Sequence, residues 1–149
     1  MPNKIKSNLS GVAGEYFVAG ELSRRGYIAS ITLRNSKGVD ILATNETASK
    51  SVGIQVKTNQ GHLKFWVLHR KAEKYYSKNL FYILVNLNDG GIPDFHIVPS
   101  KIVANSISQG HRKWLKTPGK MGQKHNDTTM RNFKDLEDKY LGRWDLLGL

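Results

Sequence analysis

Gly38-Val39-Asp40-Ile41-Leu42-Ala43, followed after a polar gap by Gly53-Ile54-Gln55-Val56-Lys57-Thr58, is the stretch on which the reading of this chain turns. Both pieces are short, β-branched and bounded by turn residues such as Asn45 and Gly53, so each predicts a strand. Side chains two apart on a strand point the same way. Gln55 and Lys57 therefore share one face, and Ile54 and Val56 share the other. If the two strands pair, Asp40 comes beside the polar face. One carboxylate, one amide carbonyl and one ammonium then converge, a set suited to holding a divalent metal against a phosphate and activating a water.

Working outward, residues 7–25 predict a helix, with Ser7, Asn8 or Ser10 as cap and Gly26 as a left-handed stop. Leu9, Val12, Ala13, Tyr16, Ala19 and Leu22 recur at helical spacing. Glu15 falls within that stripe, and a carboxylate turned toward a core needs a cation, a metal or hydrogen-bond donors. Strands are expected over 27–34, 39–44 and 53–58, with a short extended piece over 63–68 and a short helix over 69–77. Phe81 to Leu87 is nearly all apolar and predicts a central strand buried on both faces. Asn88-Asp89-Gly90-Gly91 is a turn, and 94–98 reads as the hairpin partner. A helix is expected from Pro99 to near Gly110, a loop over 117–126, and a last helix from Asp127 or Thr128 through Tyr140. Trp144 is expected to pack back onto the body. The layout is mixed α/β around one sheet, in a single domain spanning residues 1–149.

The 149 residues carry a net charge of +11, with 39% hydrophobic and 9% aromatic content. A basic balance this large favours a polyanion as partner, usually nucleic acid. Lys101 to Lys124 holds six Lys or Arg and no acid. Cysteine is absent, which excludes disulfides, thiolate zinc sites and cysteine nucleophiles. No apolar run approaches a membrane span and the N-terminus lacks a secretory signal, so a cytoplasmic protein is expected. His62, His69, His96, His111 and His125 show no spacing that puts two on one helix face with an acid, and are read as surface or supporting residues. Gly11-Val12-Ala13-Gly14 lacks the lysine of a phosphate-binding loop.

Glu15 on the first helix, Asp40 on a strand and Gln55-Val56-Lys57 on the next together resemble the PD-(D/E)XK nuclease superfamily, in a D-QxK variant. That group includes restriction endonucleases, Holliday junction resolvases and some homing endonucleases. The resemblance covers roughly Ser10 to Gln60. It implies a restriction endonuclease-like mixed β-sheet flanked by helices, with an αβββαβ core. It implies Mg²⁺ as cofactor, with Asp40 as principal ligand, Gln55 as second ligand and Glu15 as supporting carboxylate. Lys57 becomes the catalytic lysine. Val39 stands where the family has proline, and Gln55 where it usually has an acid. An amide oxygen brings no charge, and Mg²⁺ prefers hard, usually anionic oxygens. Metal affinity should therefore lean on Glu15 and on the substrate phosphate.

The activity implied is metal-dependent hydrolysis of phosphodiester bonds in duplex DNA, in a homing, restriction or junction-resolving role. Two strands need two active sites, so a homo-oligomer, dimer or tetramer, is expected, with Leu146 to Leu149 as a candidate interface. Arg34, Lys37, Arg112, Lys113, Lys116, Lys120 and Lys124 are the expected DNA contacts. Other readings stand beside this one, an RNA-directed nuclease or ribonucleoprotein part among them. Glu15, Asp40 and Lys57 could form a buried ion-pair cluster in an unrelated α/β domain. The chain could also be a nucleic-acid-binding protein that kept the nuclease fold and lost efficient metal binding at Gln55.

Overall fold

A computed structural model describes residues 3–33 and 37–149. Helix α1 (Ser7–Arg24) precedes β1 (Ile28–Ile31), β2 (Ile41–Thr44), β3 (Ser51–Asn59), β4 (Phe65–His69), β5 (Leu80–Asn86) and β6 (Asp94–Pro99). Helix α2 (Ser100–Lys116) and β7 (Met130–Lys134) follow. Five strands form one sheet in the order β1-β2-β3-β5-β6, and β4 pairs with β7 in a separate ribbon. All pairings in the large sheet are antiparallel except β3 with β5. No helix among the described residues is long and apolar enough to cross a membrane.

All seven residues of β5 are buried, as its unbroken apolar text requires. On one face of the sheet Val18 and Leu22 of α1, with Trp144 and Leu147 of the C-terminal tail, pack on Ile41, Ile54, Val56 and Ile83. On the other face Val103 and Ile107 of α2, with Trp66 and Phe133 of the ribbon, pack on Tyr82, Leu84 and Val98. Trp144 thus packs back as expected. Leu146 and Leu149 also lie against the first core, so the tail's apolar side chains are used within the chain.

Helix α1 ends as its sequence implies. Gly26 takes φ +87, and the N–H groups of Gly26 and Tyr27 donate to the carbonyls of Ser23 and Leu22 in a Schellman closure. Its start differs: Lys6 is the N-cap and gives no side-chain bond. Its buried stripe is Ser10, Gly14, Val18 and Leu22, while Leu9 and Tyr16 are 56% and 66% exposed. Gly14 explains the rotation. A Cβ there would lie 1.9 Å from Thr58 Oγ1. The bare Cα lets the helix press onto β3, so burial falls on small residues rather than on the bulky ones.

Three other expectations are corrected. The connection from β3 to β5 carries no α-helix, only β4 and a 3-10 turn at Arg70–Glu73. Helix α2 runs through Gly110 to Lys116, because one glycine costs a helix only about 1 kcal/mol. Residues 127–140 form no helix. Met130–Lys134 alternate as a strand, with Arg131 and Phe133 inward. Arg131 can point inward because its Nε donates to Glu73 Oε1 at 2.7 Å and its Nη1 to the carbonyls of Thr128 and Met130.

Candidate active site

Strands β2 and β3 pair only from Ile41–Ile54 to Thr44–Ser51. Beyond that point β3 continues alongside β5, and its other edge opens. Asp40 sits at this fork. Its own N–H donates to the carbonyl of Ile54 at 2.8 Å, and its Oδ2 accepts from the N–H of Val56 at 2.7 Å. The carboxylate thus takes over a donor that the departing strand leaves unpaired, which a half-buried backbone group requires. The two bonds bracket Gln55 in the chain, and Lys57 follows directly.

Gln55 and Lys57 are half-buried and alternate with buried Ile54 and Val56, so they occupy the face away from α1. In register, Gln55 lies beside Tyr82 and Lys57 beside Leu84. Tyr82 is 1% exposed. Burial, with Tyr75 and the negative charge of Asp40 nearby, pushes its phenol up to about 12. Tyr82 is therefore a neutral hydroxyl within electrostatic reach of Asp40, and the sequence reading had counted it only as core.

Glu15 comes to Asp40 from α1. The two, with Thr32 and Leu33, line one cavity of about 180 Å³. Gly14 makes this possible, since its close seat on Thr58 fixes the height of the next residue above the sheet. Thr32 steadies the opposite side. Its N–H donates to the carbonyl of Asp40 at 2.9 Å, and its Oγ1 donates to that of Val39 at 2.6 Å. Nothing in the sequence marked Thr32. Gly38 takes φ +75, and a Cβ on it would fall 2.5 Å from the ring of Tyr75. The turn leading into Asp40 is thus held under an aromatic lid.

The donor set suits a hard divalent ion. Two carboxylates face one small cavity, while Gln55 and Lys57, on the adjoining strand and directed to its other face, are not among the described residues of its lining. Mg²⁺ is commonly held by one or two carboxylates while keeping several waters. Among the described residues no group of three or more His, Asp or Glu forms a fuller cage. That follows from glutamine at position 55.

The expected DNA contacts fall elsewhere. Lys37 is exposed beside Gly38, next to the fork. Arg34 lies outside the described residues. Arg112, Lys113 and Lys116 are exposed on the last turns of α2, and Lys120 and Lys124 on the loop that follows. None of the described ones lines the Asp40 cavity. The histidines divide. His96 is buried and is neither a surface nor a site residue. Its Nδ1 meets Asp135 Oδ2 at 2.7 Å, and its ring lies 4.8 Å from that of Trp66.

No family model matches the chain, and no curated protein matches it. Solved structures do. A bacterial homing endonuclease, I-Ssp6803I, superposes with a TM-score of 0.56 at 13% identity, over 97% of this chain and 94% of that one. The Holliday junction resolvase Hjc of Archaeoglobus fulgidus gives a TM-score of 0.46 at 13% identity, over 84% of each chain. At such identity the likeness is one of fold, and the fold of this chain is a mixed α/β nuclease fold of the restriction endonuclease-like type.

Proposed function

We propose that the chain is one nuclease domain that hydrolyses phosphodiester bonds in duplex DNA with a divalent metal, Mg²⁺ by preference, acting as a homo-oligomer in a homing, restriction or junction-resolving role. The observation that carries this reading is Asp40. It is pinned by two backbone bonds at the opening of β2 from β3, shares a cavity with Glu15, and stands at the strand that bears Gln55 and Lys57. A net charge of +11 supplies the attraction for the substrate.

In this reading Asp40 and Glu15 hold the ion, with the Gln55 amide oxygen as a neutral third donor. A divalent ion there supplies charge relief for the phosphoryl oxygens and lowers the pKa of a water. The Lys57 ammonium stands one residue past the Asp40–Val56 bond. It orients the attacking water or stabilises the charge that grows on the phosphate. Val56 holds the Asp40 carboxylate and Thr32 its backbone carbonyl before substrate arrives, so little reorganisation is left for the reaction itself.

Supercoiled plasmid incubated with Mg²⁺, Mn²⁺ or EDTA tests the proposal. Metal-dependent nicking that disappears in Asp40→Ala and in Lys57→Ala is the expected result. A second reading has its own support in Gln55, which leaves the site one charge short of the family's usual set. A protein that binds duplex DNA without cutting, with affinity unchanged by either substitution, would establish it and overturn the first.

A further inference from the structure

A second cleft lies away from the fork. It has a volume of about 350 Å³ and runs between the last turns of α2 and strand β7, with Ser106, Gly110, His111, Trp114, Asn132 and Lys134 in its lining. Small residues at 106 and 110 open the helix side, and Trp114 closes its far end. Trp114 is 39% exposed, whereas Trp66 and Trp144 are 1% and 8% exposed.

The ring of Trp114 already belongs to an aromatic stack. His125 lies against it at 4.1 Å between centroids and 19° between planes, and His111 at 5.6 Å and 27°. His125 folds the basic loop back against α2. Charge in the cleft has one sign. Lys134 is exposed and in no ion pair among the described residues. No carboxylate lines the cleft. Asp127, nearby, is taken by His111 Nε2 at 2.8 Å. Arg131 gives its Nε to Glu73 and its Nη1 to two carbonyls.

We propose that this cleft binds an unpaired nucleotide of a single-stranded polynucleotide segment, with its base extending the stack formed by His111, Trp114 and His125 and its phosphates on Lys134 and the cations of α2. The volume lies in the range of small-ligand sites and does not admit a duplex, whose paired bases also hide their faces. Unpaired bases stack on aromatic side chains without regard to sequence, inside positively charged grooves. The Asn132 amide offers both donor and acceptor to a base edge.

Gly110 allows a test that spares the fold. A Cβ at this helical position meets nothing within 4 Å, and methionine is a better helix former than glycine. Gly110→Met therefore fills the cleft and favours α2. Binding is read in EDTA by anisotropy of a short fluorescein-labelled oligothymidylate, its oligouridylate counterpart and a blunt duplex. Wild type, Asp40→Ala, Gly110→Met and Trp114→Ala are compared, with thermal midpoints as a check on folding.

Gly110→Met and Trp114→Ala are expected to weaken single-strand binding about tenfold and to change blunt-duplex affinity by less than about twofold. Oligonucleotide should quench tryptophan emission in wild type, since Trp114 is the exposed one. Asp40→Ala should bind the single strand as wild type does, since Asp40 does not line this cleft, and this keeps the result separate from the fate of the nuclease proposal. Single-strand affinity unchanged in both cleft variants would overturn the inference. An equal loss on single strand and duplex would also overturn it and make the cleft part of a general phosphate surface.

Discussion

The fork and the α2–β7 arm are built on opposite plans. At the fork every chemical group is placed by the backbone. Asp40 is fixed by bonds to Ile54 and Val56, Gln55 and Lys57 by strand alternation, and Glu15 by the seat of Gly14 on Thr58. In the arm the charges ride on exposed side chains. Arg112, Lys113 and Lys116 lie beyond Ile107, the last buried residue of α2, and are exposed. A reaction needs reacting atoms held to a fraction of an ångström. A polyanion needs only charge of the right sign along a surface. The contrast teaches where tight geometry has been spent, and it separates residues that should govern rate from residues that should govern affinity.

The sharpest break of that contrast is Asp40→Asn. Its amide oxygen can still accept from Val56, so the fork should persist while one negative charge is lost. Nicking rate under saturating protein is expected to fall about 10²–10³-fold, the usual cost of removing one preorganised electrostatic group, with stability within about 1 kcal/mol of wild type. A matching loss of stability in urea unfolding would show Asp40 to be a structural residue instead.

Gly14→Ala comes next. Its Cβ meets Thr58 Oγ1 at 1.9 Å, so α1 must lift from β3, at an expected cost of about 1–3 kcal/mol. Glu15 moves with it, and nicking should slow further than stability alone explains. Gly20→Ala on the same helix meets nothing within 4 Å and is expected to stabilise by about 0.5–1 kcal/mol. Urea denaturation of the pair measures the difference.

On the arm, replacing Lys113, Lys116 and Lys120 together by alanine is expected to weaken duplex binding about tenfold and to lower the slope of log affinity against log salt by about three. The nicking rate at saturation should hold. A fall in that rate would place the arm at the chemistry.

Tyr82 gives the smallest and most conditional effect. Its folded pKa is raised from 10.0 to about 12. The neutral phenol is favoured in the folded state, so its contribution is fully present below pH 10 and is lost as pH rises toward 12. Tyr82→Phe has no phenol to ionise, so its unfolding free energy should fall less than that of wild type across that window.

The fork was the most legible part of the sequence because its constraints are periodic. Alternation and β-branching give β3 and put Gln55 and Lys57 on one of its faces. What escaped was set by close approach or by burial of polar groups. The face of α1 was misread because Ser10 and Gly14, which bury, carry no hydrophobic signal, whereas Leu9 and Tyr16, which do, stay exposed. Strand β7 was hidden by an inward arginine whose partner, Glu73, lies 58 residues away. His96 and Asp135 bury as a pair, which neither residue announces alone. Thr32 and the Gly38–Tyr75 contact depend on chain paths that no local spacing records.

The most direct test is the position of a metal. Crystals grown with a DNA duplex and Mn²⁺, recorded for anomalous scattering, should give a peak between the carboxylates of Asp40 and Glu15, within reach of the Gln55 amide oxygen. A protein that cuts DNA while its Mn²⁺ lies elsewhere, with the space between those two carboxylates empty of density, would contradict the account.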